Sequence, residues 1–149
     1  MGEACAPQSG VLRMKKGVVE MTLEDMLNTG RRSVSGCSVA AFGDTAARLI
    51  LRASHKDGIR REYLDALCDH AANCFDLLDA TWDIPGMAED GADAVLNEAT
   101  ILSKTETVIF LRSEASPSEF LCFVCEDADA APRVFAAARR TMTQIAAVQ

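Results

Sequence analysis

Two stretches in the last third of the chain are apolar on both faces, and this pattern indicates the fold. Thr107–Arg112 reads TVIFLR and Glu119–Cys125 reads EFLCFVC. Successive side chains of a strand point to opposite faces of a sheet, and in both stretches neither face is polar. An antiparallel strand with one solvent-exposed face should alternate apolar and polar residues. The pattern therefore predicts two central strands of a sheet that is covered on both faces.

Three further segments are typical of strands. Gly36–Ala41 and Ala46–Ala53 are short apolar runs on either side of a turn signal at Phe42–Thr45, which predicts a hairpin. Ala94–Lys104 supplies another strand ahead of the two central ones. The predicted sheet therefore has five strands.

Helical periodicity, together with start and stop signals, predicts three helices. The first begins at Thr22, where TLED has the form of a capping box, and ends at Gly30. The second, Arg60–Ala80, is the longest. The third begins after Asp127 or Asp129, either of which is a good helix cap.

The predicted order of elements is α-β-β-α-β-β-β-α. It predicts an α+β fold of profilin-like shape, with a five-stranded antiparallel sheet and helices on both faces. We assign residues 21–149 to a single domain and residues 1–20, which lack periodicity, to a mobile tail. The irregular segment Thr81–Asp93 contains Trp82, which we expect to pack over the end of the second helix.

The second helix has an apolar arc that is wider than one sheet face requires. At about 100° per residue, its apolar residues between Leu64 and Leu78 cluster within about 120°. Tyr63, Ala66 and His70 extend this arc along one flank, as does Leu77 further along the helix. Covering one sheet face takes a stripe of about 100°. We therefore expect this helix to contact a second element, and the same helix of a second copy is the simplest candidate.

Charge and cysteine content exclude some classes of partner. The formal net charge of −7 argues against nucleic acid, since binding to phosphates needs a basic face, and against an anionic membrane surface. No apolar run approaches the roughly 18 residues of a membrane span, and the first residues contain no apolar region of a signal peptide. The six cysteines are therefore expected to be reduced thiols in a cytoplasmic protein.

Pairs of cysteine and histidine are the first candidates for metal or redox chemistry. Cys122 and Cys125 lie three positions apart on one strand, so they point to opposite faces and are expected to pack in the core. His70 and Cys74 lie one helical turn apart and can share a metal ion, but a zinc site needs further ligands. A partly buried interface histidine is the preferred interpretation of His70, and His55 is expected to be exposed in a turn.

Sequence motifs of catalysis are absent. There is no phosphate-binding glycine loop, no nucleophile elbow and no HExxH sequence. Asp65, Asp69 and Asp76 are expected to form a solvated face of the second helix. We therefore predict no catalytic residue, no cofactor, no metal and no enzymatic activity.

The order of elements and several segments resemble the roadblock/dynein light chain family, in particular bacterial roadblock-like domains. The segments are MTLEDML before GCSVAAF, a Gly-Asp turn, LILRAS, the long helix, TVIFLRS, and EFLCFVCEDADAAPRVF before the closing helix. The resemblance implies a dimer whose sheets join edge to edge and whose long helices pair across a two-fold axis. It also implies a non-catalytic scaffold or a regulator of a Ras-like small GTPase.

By this resemblance, the contacts of a homodimer fall on the long helix and the third strand. The interface residues that we predict are Tyr63, Leu67, His70, Cys74 and Leu77. The expected partners are a second copy and another protein, with no nucleic acid and no membrane. Two alternatives remain: a small acidic dimeric type III secretion chaperone that binds an effector segment, and a small-molecule sensor of profilin-like or longin-like shape.

Overall fold

The structure, a computed structural model, describes residues 21–82 and 97–149 of the chain. Three helices and five strands lie within these ranges. Their bounds are α1 Leu23–Arg32, β1 Cys37–Asp44, β2 Leu49–His55, α2 Arg61–Trp82, β3 Glu98–Leu102, β4 Thr107–Arg112, β5 Glu119–Cys125 and α3 Ala131–Ala146. The predicted tail, the residues between α2 and β3, and the side chain of Trp82 lie outside the described residues.

The strands form one antiparallel sheet in the order β2-β1-β5-β4-β3. β5 lies at the centre because it pairs with β1 on one side and with β4 on the other. β2 and β3 are the two edges. The predicted α+β fold, with its five-stranded antiparallel sheet, is confirmed, and β4 and β5 have the bounds that their apolar patterns predict.

The helices cover both faces of the sheet, as predicted. α1 and α3 pack on one face around a core that includes Leu27, Phe123 and Val134. α2 packs on the other face around a core that includes Phe75 and Phe120. The central strands are apolar on both faces because each face of the sheet has its own core.

The first hairpin turns later in the chain than predicted. Phe42 and Gly43 belong to β1, and the residues from Ala46 to Arg48 form the turn instead of the start of β2. The Asp44 carboxylate accepts hydrogen bonds from the backbone N–H groups of Ala46 at 2.8 Å and Ala47 at 3.1 Å. This local capping by an aspartate side chain fixes the turn.

Helix α1 begins as predicted but does not end at Gly30. The Thr22 hydroxyl accepts a hydrogen bond from the Asp25 N–H at 2.9 Å, and the Asp25 carboxylate accepts one from the Thr22 N–H at 3.1 Å. The helix continues to Arg32. A Cβ atom on Gly30 would lie 2.4 Å from the Thr141 Oγ1 atom, so the glycine permits close packing of α1 on α3.

The start of α3 also differs from the prediction. Asp127 caps a single 3₁₀ turn, Ala128–Ala130, by accepting a hydrogen bond from the Asp129 N–H at 2.9 Å. The cap position of α3 itself is Ala130, which has no side chain that can accept a hydrogen bond. Within the described parts of the chain, no helix is long and apolar enough to cross a membrane.

Candidate interaction surface on the second helix and third strand

The edge strand β3 exposes apolar side chains on both faces. It pairs with β4 along one side, and among the described residues no strand pairs with its other side. Ile101 is 40% exposed and Leu102 is 61% exposed. Ile101 lies opposite Val108, which belongs to the core under α2, whereas Leu102 points to the other face. Exposed apolar edges of this kind are sites for pairing with another strand.

A strip of uncharged side chains runs along one side of α2. At about 100° per residue, its members fall within about 80° of one another around the helix axis. We call this the α2 strip: Tyr63, Ala66, His70, Cys74 and Leu77. Leu77 is the most exposed of the large apolar side chains described, at 67%. His70 is exposed, while Tyr63 and Cys74 are partly buried against the core.

Leu67 is the predicted interface residue that the α2 strip does not contain. It is only 4% exposed and belongs to the core between α2 and the sheet. Its side chain is therefore covered by its own chain. The other four predicted residues lie together on the strip, and their role in a dimer stays a prediction.

The acidic residues of α2 lie on a different side of the helix from the strip. Asp65 pairs with Arg61 at 3.2 Å, and Asp69 pairs with Arg48 of the hairpin turn at 3.0 Å. These carboxylates and Asp76 are exposed, which agrees with the predicted solvated face. The α2 strip is therefore bordered by a charged face that remains accessible to water.

The α2 strip and β3 form one continuous surface. Burial, and to a lesser degree the negative charge of Glu106, raises the pKa of Tyr63 to about 12. Helix α2 and strand β3 are in direct contact. Ala99 of β3 packs against the same core as Tyr63 and Cys74.

A buried arginine fixes the C-terminal half of α2 against the sheet. The Arg112 guanidinium donates hydrogen bonds to both carboxylate oxygens of Asp79, at 3.1 and 2.8 Å, and to the side-chain oxygen of Asn97 at 3.2 Å. It also lies over the Phe75 ring, 4.9 Å from its centroid. These contacts position the helical turn that carries Leu77.

Comparison with known proteins identifies this arrangement of strands and helices. No protein family model and no curated protein matches the chain. Among solved structures, a Roadblock/LC7 domain from Streptomyces avermitilis matches with a TM-score of 0.62 and 10% identity, over 82% of this chain and 92% of that one.

This chain has a roadblock fold. An MglB protein in a tetrameric arrangement matches with a TM-score of 0.66 and 16% identity, over 85% of this chain and 86% of that one. The gliding protein MglB from Thermus thermophilus matches with a TM-score of 0.64 and 16% identity, over 85% and 87% of the two chains.

Cys122 and Cys125 of this roadblock fold pack in the core as the sequence predicts. Cys122 belongs to the core under α2 and Cys125 to the core under α1 and α3, and both are fully buried. Burial raises the pKa of the Cys122 thiol well above its usual value. These thiols are therefore suited to packing and poorly suited to nucleophilic or metal chemistry.

A groove of about 510 Å³ in this roadblock fold lies between α3 and the ends of β3 and β4. Glu98 and Arg139 on its rim already pair with each other, through hydrogen bonds of 2.6 and 2.8 Å. The pairing lowers the pKa of Glu98, mainly because Arg139 donates these hydrogen bonds. The groove therefore has a charged pair that is satisfied internally, which does not favour the small-molecule sensor.

Proposed function

We propose that this roadblock-fold chain forms a homodimer that acts as a non-catalytic regulator or scaffold for a Ras-like small GTPase, in the cytoplasm of a bacterium. The single observation that supports the dimer is that the uncharged α2 strip is continuous with the exposed, apolar edge of β3. Roadblock-like proteins, by the resemblance described above, join through these same two elements. The fold likeness to the gliding protein MglB supports the regulatory role.

Burial of the exposed apolar residues gives the dimer a driving force of the required size. Leu77, Ile101 and Leu102 are 67%, 40% and 61% exposed. Full burial of such a side chain is worth about 1.5–3 kcal/mol. Multiplied by the exposed fraction of each side chain and counted for both copies, this gives roughly 5–10 kcal/mol for a symmetric dimer. Association costs about 4–15 kcal/mol, and each backbone hydrogen bond between paired β3 edges adds about 0.5–1.5 kcal/mol. The estimated gain and cost are of the same order, so loss of one central contact should separate the copies.

Leu77→Arg tests the dimer, with Leu49→Arg as its matched control. Leu49 is 42% exposed but lies on β2, at the opposite edge of the sheet. We expect light scattering to give twice the chain mass for the wild type and for Leu49→Arg, and the mass of one chain for Leu77→Arg at micromolar concentration. Leu77 occurs twice in the dimer, so its loss weakens association by at least about 30-fold.

Two results would contradict the dimer. One is a wild-type protein with the mass of a single chain, and the other is a Leu77→Arg variant that stays dimeric while Leu49→Arg dissociates. Leu67→Arg is a poor substitute for this test because Leu67 is buried in the core of its own chain, so its replacement would destabilise the fold itself.

The regulatory part of the proposal has its own experiment. Wild-type protein, Leu77→Arg and Leu49→Arg are each added to a purified Ras-like small GTPase from the same organism. Binding and the rate of GTP hydrolysis are then measured. We expect the wild type and Leu49→Arg to bind, and Leu77→Arg to bind more weakly. A dimer that neither binds nor affects any such GTPase would leave a scaffold role and exclude the GTPase regulator.

The secretion-chaperone alternative is not retained. The solved structures reported above are roadblock and MglB proteins. The exposed apolar side chains of the described residues lie mainly on a strand edge and a helix strip, whereas a chaperone needs grooves for an extended peptide.

A further inference from the structure

The β2 end of the sheet is locally basic in a chain that is acidic as a whole. The net charge of the chain is −7. Residues 31–61 run from the end of α1 through β1 and β2 to the start of α2. They contain two acidic residues and seven basic ones: Arg31, Arg32, Arg48, Arg52, Lys56, Arg60 and Arg61. Charges act over about 8–10 Å at physiological salt, so this region can attract a negatively charged partner despite the overall charge.

Part of this positive charge is neutralised within the chain. Arg48 pairs with Asp69 at 3.0 Å and Arg61 with Asp65 at 3.2 Å, and Lys56 pairs with Glu126. Arg31 and Arg32 take part in none of the ion pairs between described residues. The positive charge at the end of α1 is therefore available to a partner.

Hydrogen bonds hold one of these arginines beside β2. The Arg31 Nε–H group donates to the Ser54 hydroxyl at 2.8 Å, and that hydroxyl donates to the side-chain oxygen of Asn28 at 2.5 Å. Ser54 is only 4% exposed, so it anchors Arg31 in the crevice between α1 and β2. Because both anchoring groups are neutral, they fix the position of the guanidinium group without cancelling its charge.

Arg52 lies on the same face of β2 as this anchor. Arg52 is opposite Phe42 and Ser54 is opposite Ala40 in the pairing with β1. Phe42 and Ala40 belong to the core under α1 and α3, and residues opposite each other on neighbouring strands share a face. The Arg52 side chain therefore lies on the α1 side of the strand, two positions from Ser54. We call these three arginines the basic edge: Arg31, Arg32 and Arg52.

The backbone of β2 can accept another strand beside the basic edge. Among the described residues, β2 pairs only with β1. The Lys56 N–H donates to the Ser38 carbonyl at 3.0 Å. Since bonded pairs alternate along an antiparallel ladder, the backbone groups of Ala53 and His55 point away from β1. Extended peptides bind such edges through main-chain hydrogen bonds, and their alternate side chains provide specificity.

The combination of a strand edge with positive charge selects the kind of partner. Basic side chains discourage two identical edges from pairing, and for the same electrostatic reason they favour an acidic strand. Nucleic acid and anionic lipid have no peptide backbone that could pair with β2. We propose that the β2 edge binds an extended acidic segment of another protein, whose carboxylates on alternate residues face the basic edge. This site lies at the opposite end of the sheet from β3 and requires no dimer.

Fluorescence anisotropy with a labelled peptide tests this site on the full chain. The probe is a peptide of alternating glutamate and valine, and its controls are the same peptide with lysine for glutamate and the same peptide methylated on every backbone nitrogen. We expect the unmodified acidic peptide alone to bind at about 0.1 M salt. It should dissociate at about 1 M salt, where the screening length falls from about 10 Å to about 3 Å.

Neutral substitutions identify the arginines that bind the peptide. Arg32→Gln and Arg52→Gln should each weaken binding at least about threefold, and together about tenfold. Arg140→Gln removes the same charge from an exposed position on α3 and should retain the wild-type affinity. Circular dichroism checks that each variant is folded, and Arg32→Gln, at an exposed position, decides the test if Arg52→Gln is not.

Three results would overturn the proposed site. The first is an acidic peptide that does not bind the wild type at low salt. The second is a lysine peptide or a methylated peptide that binds as tightly as the acidic one. The third is wild-type affinity in folded Arg32→Gln.

Discussion

Replacement of Gly30 by alanine tests the packing between α1 and α3. An alanine in place of glycine inside a helix usually stabilises it by about 1 kcal/mol. Here the new Cβ atom would lie 2.4 Å from Thr141 Oγ1 and 2.9 Å from Phe123 Cζ. Neither group is free to move away. Thr141 is buried and donates a hydrogen bond to the Ala137 carbonyl at 2.9 Å, and Phe123 is fully buried.

The expected result is a loss of stability, opposite in sign to the usual effect. Overpacking of a filled core costs about 1–3 kcal/mol, and contacts this short place Gly30→Ala near the upper end. After subtraction of the helix-propensity gain, the free energy of unfolding should fall by about 2 kcal/mol. For a chain of this size, that corresponds to a decrease in Tm of about 4–8 °C.

Urea unfolding followed by circular dichroism measures this change, and a second substitution identifies its cause. Thr141→Ala removes the nearest atom, so Gly30→Ala should cost less in the Thr141→Ala background than alone; the remaining cost comes from Phe123. Thr29→Ala, on the exposed side of the same helix, is the control and should change stability by less than about 0.7 kcal/mol. A Gly30→Ala variant that is more stable than the wild type would refute the packing described for α1.

Two further predictions concern an ion pair and a helix cap. Asp79→Asn should destabilise the fold by about 1 kcal/mol at neutral pH, a value discounted for the exposure of Asp79, because the buried Arg112 loses the negative charge of Asp79 beside it. Hydrogen bonds from Arg112 lower the pKa of Asp79, so the pair contributes stability above the unfolded pKa of about 3.9, and this contribution is lost as the pH falls through the folded pKa. Unfolding free energies measured from pH 6 to pH 2 should therefore fall less steeply for Asp79→Asn than for the wild type or the control Asp76→Asn, and equal slopes would contradict the pairing. Thr22→Ala should cost about 1 kcal/mol because it removes the cap of α1; an unchanged urea midpoint would show that the cap does not contribute.

The bounds of a strand can be predicted from the sequence where both faces of the strand are buried. β4 and β5 have their predicted bounds because residues that are buried on both faces must be apolar at every position. The sequence pattern places the first hairpin too early because the turn depends on the Asp44 side chain, whose carboxylate binds the backbone of the following residues. Gly43 has the sequence context of a turn residue, although it lies in β1.

The candidate surface can be predicted only in outline. Helical periodicity indicates that the apolar arc of α2 is wider than one sheet face can cover. It does not show that Leu67 is buried and Leu77 exposed, because this depends on which flank of the helix packs on the sheet. Sequence reasoning misses the Arg112 contact because its partner, Asp79, lies 33 positions earlier in the chain. Gly30 has the sequence signature of a helix end, and only the position of α3 shows why the helix continues through it.

The central position of β5 has a consequence for synthesis of the protein. β5 lies between β1 and β4 but is translated after both of them. Until Glu119–Cys125 emerges from the ribosome, the nascent chain contains two separate hairpins, each with an unpaired strand that is apolar on both faces. Unpaired apolar edges are prone to aggregation. The growing chain should therefore depend on ribosome-associated chaperones until its last strand is made, and premature termination before Glu119 should give an insoluble product.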